Sequence, residues 1–162
     1  MKTNSIENMK RIPKYDLIKT GFVTPMTGEG EPLTGPPAAV GILRAMIADE
    51  AKENVAVLAL NARRVVIGAQ IVSTGTLTQS LAHPREVFRM AIQFNAAAIV
   101  IGHNHPSGDP APSPDDDALT RRMREAADLL GIPLLDHVIV AENGTYSYAE
   151  NGWNRCPTHP RR

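Results

Sequence analysis

The sequence has 162 residues, a length that suits one domain or one domain with short tails. Hydrophobic residues make up 43% of it and aromatic residues only 4%, so a core can form and should be mainly aliphatic. The formal net charge is zero at pH 7, which excludes a strong overall attraction to nucleic acid phosphate. A local contact through Arg121, Arg122 and Arg124 stays open, although such arginines on a helix more commonly form a solvated face.

The single cysteine, Cys156, excludes an intrachain disulfide and a zinc site built from paired cysteines. A lone thiol fits a reducing compartment. No stretch reaches the ~18 apolar residues that a membrane helix needs, and the N-terminus has no apolar signal core. These features predict a cytoplasmic protein with no membrane partner.

In chain order, the first half is predicted to form a strand, a helix and a hairpin. Residues 14–23 show a weak strand pattern, and residues 24–37, rich in Gly, Pro and Thr, predict a loop. Residues 38–50 carry apolar side chains at helical spacing. Residues 54–60 and 65–73 read as two strands joined by a short turn, which indicates a hairpin.

The second half alternates helices and strands after a polar loop at 73–82. The predicted elements are a helix at 83–96, a buried central strand at 97–102, a helix at 114–131, and strands at 134–141 and 145–150. There is no internal repeat and no linker between domains. This mixture predicts an α/β fold in which a mixed sheet is flanked by helices.

The stretch HNHPSGDPAPSPDD, from His103 to Asp116, carries the most chemistry. His103 and His105 are at positions i and i+2 just past the predicted central strand, and in extended backbone such side chains point the same way. A stiff, proline-rich excursion then leads to Asp116, which the start of the next helix directs back at the histidines. Two imidazoles and one carboxylate leave the fourth position of tetrahedral zinc open, as in catalytic zinc sites.

The start of that helix has its own signal. Ser113 precedes Pro114 and lies three residues before Asp116, which predicts an N-cap serine, a proline at the first helical position and a capping-box-like pair. His83 and Glu86 are interpreted as local capping at an earlier helix start. His137 lies in an apolar strand and is interpreted as a hydrogen-bonded core histidine or one that supports the metal ligands.

The spacing His103-x-His105, seven residues, Ser113, two residues, Asp116 is that of the JAMM (MPN) metalloprotease motif. The stretches HPREVFRMAIQFNAAAIVIGHNHPSGDPAPSPDD, LTRRMREAADLLGIPLLDHVIV and YSYAENGW resemble the RadC family in particular. The resemblance implies a cytidine-deaminase-like α/β fold, one zinc per chain bound by His103, His105 and Asp116, and Ser113 as a donor to the oxyanion. It also implies a catalytic glutamate on an earlier strand, where ENVAVLALN places Glu53, with Glu50 as the alternative.

The resemblance covers roughly residues 36–154. We therefore predict an N-terminal polar segment over 1–35 with a lead-in strand and loop, a RadC-like JAMM/MPN domain over 36–154, and a tail over 155–162. Longer RadC proteins carry a helix-hairpin-helix segment before this domain. The first 35 residues are too short and too poor in helical pattern to supply it, so this chain is expected to be a short form without it.

The leading functional prediction is a zinc-dependent hydrolase of peptide or isopeptide bonds, with Glu53 as general base. The alternatives are a non-enzymatic binding or DNA-repair accessory module that keeps the metal site and, more weakly, a nuclease. The predicted partner is a protein or peptide substrate of unknown identity. Net charge does not support nucleic acid, and the oligomeric state stays open.

Overall fold

Six strands form one mixed sheet in the computed structural model, which describes residues 23–25, 30–48, 51–75 and 82–153. Numbered in chain order, the strands β1 to β6 are Val23–Pro25, Glu53–Leu60, Val66–Gly75, Ala98–His105, Leu134–Ala141 and Gly144–Ser147. The helices in the described residues, α1 to α3, are Pro36–Ile47, Pro84–Gln93 and Pro114–Leu130.

The strands lie in the order β1-β3-β2-β4-β5-β6, and β4 is flanked by β2 and β5. The pair β4/β5 is parallel, and each of the other neighbouring pairs is antiparallel. The strands β2 and β3 form the predicted hairpin. The connection between the parallel strands is α3, as expected because a parallel pair needs a crossover.

Helices cover both faces of this sheet. Helix α1 packs against β2, β4 and β5, while α2 packs against β2 and β3, and α3 packs against β5 and α2. Since side chains alternate along a strand, each face has its own apolar cluster. On β4, Ile99 and Ile101 belong to the cluster under α2 and α3, and Val100 belongs to the cluster under α1. The predicted α/β arrangement is confirmed.

Several predicted boundaries were wrong by a few residues. The central strand was predicted to end at residue 102, but β4 continues through His105 because its pairing with β5 extends to His105 and Ala141. The histidines therefore lie in the strand rather than past it. The last strand ends at Ser147 and a turn follows, where a strand to residue 150 was predicted.

All three helices in the described residues begin at prolines, which fit the first turn because its N–H groups have no partner within the helix. Helix α2 ends at Gln93 instead of residue 96, and α3 ends before Gly131, whose φ of 67° is the left-handed conformation that glycine adopts readily. The predicted strand at 14–23 lies outside the described residues except for Val23, which begins β1. No helix in the described part of the chain is long and apolar enough to span a bilayer.

Candidate metal centre

Two antiparallel strands bring the histidines next to Glu53. Val55 of β2 pairs with His103 of β4, so the beginning of β2 lies beside the end of β4. Glu53 is two residues before Val55, and His105 is two residues after His103. Because the side-chain period of a strand is two, all of these side chains project from the face that α2 and α3 cover.

The start of α3 holds Asp116 over the same face. The Ser113 side chain accepts a hydrogen bond from the Asp116 backbone N–H at 3.2 Å. Asp116 Oδ2 in turn accepts from the Ser113 backbone N–H and from the Ser113 hydroxyl, each at 2.7 Å. The predicted N-cap and capping box are therefore present, and they fix the direction of the Asp116 carboxylate.

The side chains converge closely. His103 Nε2 lies 2.9 Å from His105 Nε2 and 3.0 Å from Asp116 Oδ1, and His105 Nε2 lies 3.3 Å from Asp116 Oδ2. Glu53 Oε1 lies further away, 4.0 Å from His103 Nε2. One potential ligand atom from each of these four residues lies within 4.8 Å of the others, so the group can hold a metal ion.

Burial differs across this cluster. The side chains of His103 and Asp116 are 0% and 2% exposed, whereas those of His105 and Glu53 are 15% and 16% exposed. The cluster is therefore closed on the side of His103 and accessible on the side of His105 and Glu53. A water or a substrate can reach it from that second side.

The convergent atoms are mostly hydrogen-bond acceptors. His105 Nδ1 lies 2.8 Å from the backbone oxygen of Asp109, which can only accept, so this nitrogen carries a proton. In neutral His105 the Nε2 atom then carries a lone pair, which is directed at His103 and Asp116. Two imidazoles and one carboxylate that face one another can hold a cation between them, and this donor set suits Zn²⁺ with an open fourth position.

The pKa values of the cluster show the same preference for positive charge. Burial by itself would raise the pKa of Asp116, but hydrogen bonds from His103, His105 and Ser113 hold it well below its usual range. The hydrogen bond with Asp116 raises the pKa of His105, and burial opposes that shift. Asp116 is therefore an anion at neutral pH, as a metal ligand must be.

A second row of side chains lies behind His103. His103 Nδ1 is 2.8 Å from His137 Nε2, and His137 Nδ1 is 2.6 Å from the Thr120 hydroxyl oxygen. The Tyr148 ring stacks on the His137 ring, with centroids 5.0 Å apart and planes 7° apart. The sequence predicts a core or supporting position for His137. It gives no comparable indication for Thr120 beyond its place one helical turn after Asp116.

Asn104, between the two histidines, clamps the segment that carries Glu53. Its side-chain oxygen accepts from the backbone N–H of Asn54 at 2.7 Å, and its amide donates to the backbone oxygen of Lys52 at 3.0 Å. These two bonds bracket Glu53 on both sides and tie it to the histidine strand. Nothing in the sequence indicated this contact, because its partners are fifty residues away along the chain.

The other candidates of the sequence analysis have local contacts. His83 caps α2, with Nδ1 accepting from the Arg85 N–H at 3.2 Å, and Glu86 pairs with Arg85 and Arg89. The capping interpretation agrees with the contact of His83, whereas the contacts of Glu86 are ion pairs with neighbouring arginines and not a capping hydrogen bond. Glu50, the alternative base, lies outside the described residues.

In the arginine group, Arg121 and Arg122 are exposed. Arg124 instead lies over the Trp153 ring, 4.4 Å from its centroid, and donates to the Trp153 backbone oxygen. The cation–π contact holds the end of the described chain against α3.

Comparison with known proteins identifies this arrangement. The family model described as a RadC-like JAB domain matches residues 33–153. The chain belongs to the RadC family. The resemblance read from the motifs is thus confirmed, and the mixed sheet with its helices agrees with the JAMM/MPN fold of that domain.

Similar RadC relatives occur in several bacteria. A UPF0758 protein of Rubrobacter xylanophilus is 48% identical over 124 residues, which cover 76% of this chain and 54% of the relative. A UPF0758 protein of Symbiobacterium thermophilum is 46% identical over 120 residues, covering 74% and 51%. A UPF0758 protein of Thermotoga maritima is 46% identical over 101 residues, which cover 62% of this chain and 46% of the relative. The RadC chain described here spans about half the length of these curated relatives.

Proposed function

We propose that this RadC-family chain is a zinc-dependent hydrolase of JAMM type that cleaves peptide or isopeptide bonds, with one zinc per chain. The observation that carries the proposal is the position of Glu53. Its carboxylate lies at the accessible side of a cluster of three closely spaced potential ligands, 4.0 Å from His103 Nε2. A purely structural metal site has no need of a further, partly exposed carboxylate at that place.

In this proposal His103, His105 and Asp116 hold the metal. Zinc, when bound there, supplies a Lewis acid and lowers the pKa of a bound water to about 7. Glu53 accepts the proton of the attacking water and passes it to the leaving amine. The Asn104 clamp keeps the Glu53 backbone at a fixed place relative to the histidine strand.

Ser113 is proposed as the donor to the oxyanion. In the structure the Ser113 hydroxyl donates a hydrogen bond to Asp116 Oδ2. It must therefore rotate away from Asp116 before it can donate to a substrate oxygen. The backbone half of the capping box, from the Ser113 N–H to Asp116, persists during that rotation. The helix start can therefore stay in place while the hydroxyl changes its partner.

The proposed substrate is a protein or peptide, and the proposed site of action is the cytoplasm, in keeping with a single cysteine. Glu53→Gln can also capture the substrate, because it removes the base while leaving the ligands intact. A pull-down with this variant, compared with His103→Ala as a variant without a complete site, would identify partners that require the metal cluster.

The decisive experiment measures zinc content and hydrolysis of a peptide and isopeptide panel in the same samples, with and without a chelator. We expect Glu53→Gln to keep its zinc and melting temperature and to lose about 10²–10⁴-fold in rate, the usual contribution of a general base. Glu86→Gln, a neutralised glutamate that pairs with arginines on α2, serves as the matched control and should keep its activity.

The main alternative gives a different pattern. The hydrolase would be contradicted if the wild-type protein binds zinc but hydrolyses nothing in the panel. The same conclusion would need the wild type, Glu53→Gln and metal-free protein to capture the same partners. That result would favour the non-enzymatic binding or DNA-repair accessory module.

A further inference from the structure

A buried row of hydrogen bonds connects α3, β5 and β4 behind the metal cluster. It runs from Thr120 to His137 to His103, and these residues are 3%, 0% and 0% exposed. The contacts are 2.6 Å from Thr120 to His137 and 2.8 Å from His137 to His103. Because no water competes at such burial, each contact must contain one hydrogen, supplied by one of its two side chains.

The direction of the row is set at Thr120. Its hydroxyl has a single hydrogen and lies 2.6 Å from the backbone oxygen of Asp116, which can only accept. Thr120 therefore donates to Asp116, and its oxygen accepts from His137 Nδ1. The proton of neutral His137 is then on Nδ1, which leaves Nε2 as the acceptor.

The next contact follows from this assignment. His137 has no exposed surface, and its two ring nitrogens contact the Thr120 hydroxyl and the His103 ring rather than a carboxylate, so nothing bonded to it balances a positive charge and it is neutral. Since its Nε2 accepts, His103 Nδ1 donates to it. The neutral imidazole of His103 then has its lone pair on Nε2, the nitrogen that faces His105 and Asp116.

We propose that Thr120 and His137 are positioning residues that hold the proton of His103 on Nδ1 and so direct its Nε2 lone pair at the metal. The consequence for metal affinity rests on the proposed zinc site, but the tautomer itself does not. Without this row, neutral His103 can place its proton on Nε2, where it blocks the ligand position. The same hydroxyl also bonds the backbone of Asp116, so Thr120 connects two of the potential ligands.

Aromatic packing keeps the His137 ring in the plane that the row requires. The Tyr148 ring lies parallel to His137, and its hydroxyl donates to Asp117 at 2.7 Å, which anchors it to the first turn of α3. The Trp153 and Tyr146 rings pack edge-on against Tyr148. The segment YSYAENGW thus packs against His137 and fixes its ring. This packing explains the aromatic residues of the motif without any contact between them and a substrate.

The test reads the tautomer directly. Long-range ¹H–¹⁵N spectra of metal-free protein at pH 8 should show His103 protonated on Nδ1 in the wild type and in Thr120→Ser, which keeps the hydroxyl. Thr120→Val has nearly the same shape but no acceptor for His137 Nδ1. In that variant His137 is expected to move its proton to Nε2, and His103 to become protonated on Nε2.

Zinc affinity, measured by chelator competition, provides a second readout. We expect Thr120→Val to bind Zn²⁺ about 10–100-fold more weakly, the usual loss when a partner behind a histidine ligand is removed. Thr120→Ser should stay close to wild type. Thr145→Val, at an exposed threonine of β6, is the matched control for the substitution and should change neither readout.

Two results would overturn the proposal: His103 protonated on Nε2 in the wild type, or wild-type zinc affinity and an unchanged His103 tautomer in folded Thr120→Val. If Thr120→Val fails to fold, the wild-type spectrum still decides the tautomer. Neither readout needs a substrate, so the absence of hydrolysis would contradict the proposed function and leave this inference standing.

Discussion

The two faces of β4 carry different side chains on the same strand. Toward α2 and α3, two isoleucines are followed by His103 and His105. Toward α1, the strand presents Val100 and then Gly102, where an added Cβ would lie 2.6 Å from the Leu43 side chain. One face therefore ends in the cluster of potential metal ligands, and the other packs against a helix. The alternation of side chains along one strand is therefore enough to place the polar candidate site and the apolar packing on opposite faces.

The largest expected effect comes from removing a histidine on the cluster face. His103→Ala and His105→Ala should each reduce zinc from about one per chain to little or none, because two remaining ligands cannot hold a tetrahedral site. Elemental analysis after dialysis measures this change. The two variants differ in exposure, so His105→Ala should disturb the fold less than His103→Ala, which empties a fully buried position. Full zinc in both variants would show that the ligand assignment is wrong.

The opposite face should give the converse result. Leu43 is 0% exposed and fills the space above Gly102, so Leu43→Ala should lower the free energy of unfolding by about 2–5 kcal/mol. Zinc stoichiometry of the folded protein should not change, because α1 contributes no ligand. Urea unfolding and elemental analysis on the same preparation test both statements. Loss of zinc from folded Leu43→Ala would mean that the two faces are not independent.

Ser113 belongs to both parts of the comparison, since it caps α3 and is also the proposed oxyanion donor. Ser113→Ala should lower the free energy of unfolding by about 1 kcal/mol, and it should lower turnover by roughly 10²–10³-fold. Glycine costs only a few tenths of a kcal/mol at an N-cap, so Ser113→Gly should regain most of the stability and none of the rate. Aspartate is less suitable, because its carboxylate would lie against Asp116 Oδ2.

Thermal melts, initial rates and zinc content of the three proteins separate the two roles. If Ser113→Gly, with zinc unchanged, has the wild-type rate, Ser113 acts only as a cap.

The sequence was sufficient for the part of the site that rests on local pattern. Strand alternation places His103 and His105 on one face, and the Ser-Pro-x-Asp order places Asp116 at the start of a helix. Glu53 came only from the family resemblance, because no local rule connects a glutamate to histidines fifty residues away. The length of β4 was underestimated, since a run of apolar residues ends at Gly102 whereas the ladder with β5 continues to His105.

The supporting residues depend on tertiary contacts that local rules do not contain. Asn104 reads as a polar residue between two histidines, and its clamp exists only because β2 runs antiparallel to β4. Thr120 reads as one polar position on an amphipathic helix, and its meaning comes from His137 on the neighbouring strand. The candidate metal ligands therefore follow from local pattern to a greater extent than the residues that contact them from behind.

The smallest expected effect compares two neighbours on β5 that face opposite sides of the sheet. His137 contacts the candidate metal ligand His103, whereas Asp136 lies on the α1 side and is 5% exposed. The Asp136 carboxylate accepts from the Ser147 hydroxyl at 2.7 Å and from the Ala149 N–H at 3.0 Å. Burial raises the pKa of Asp136 above its usual value, and these two hydrogen bonds only partly offset that shift. The folded state thus binds this proton more tightly than the unfolded chain does.

The sign of the pH effect follows from that raised pKa. The stabilising contribution of protonated Asp136 is fully present below the unfolded pKa of about 3.9 and is lost as the pH rises through the raised folded value. Asp136→Asn cannot ionise, so its free energy of unfolding should gain on that of the wild type as the pH rises from about 4 to 7. Urea unfolding across this range measures the difference, with the exposed Asp128→Asn as control and zinc content expected to stay constant. If the unfolding free energies of wild type and Asp136→Asn change with pH in parallel, Asp136 ionises equally well in the folded and unfolded states. If the two proteins differ only when zinc is present, the effect of Asp136 belongs to the face that carries the histidines.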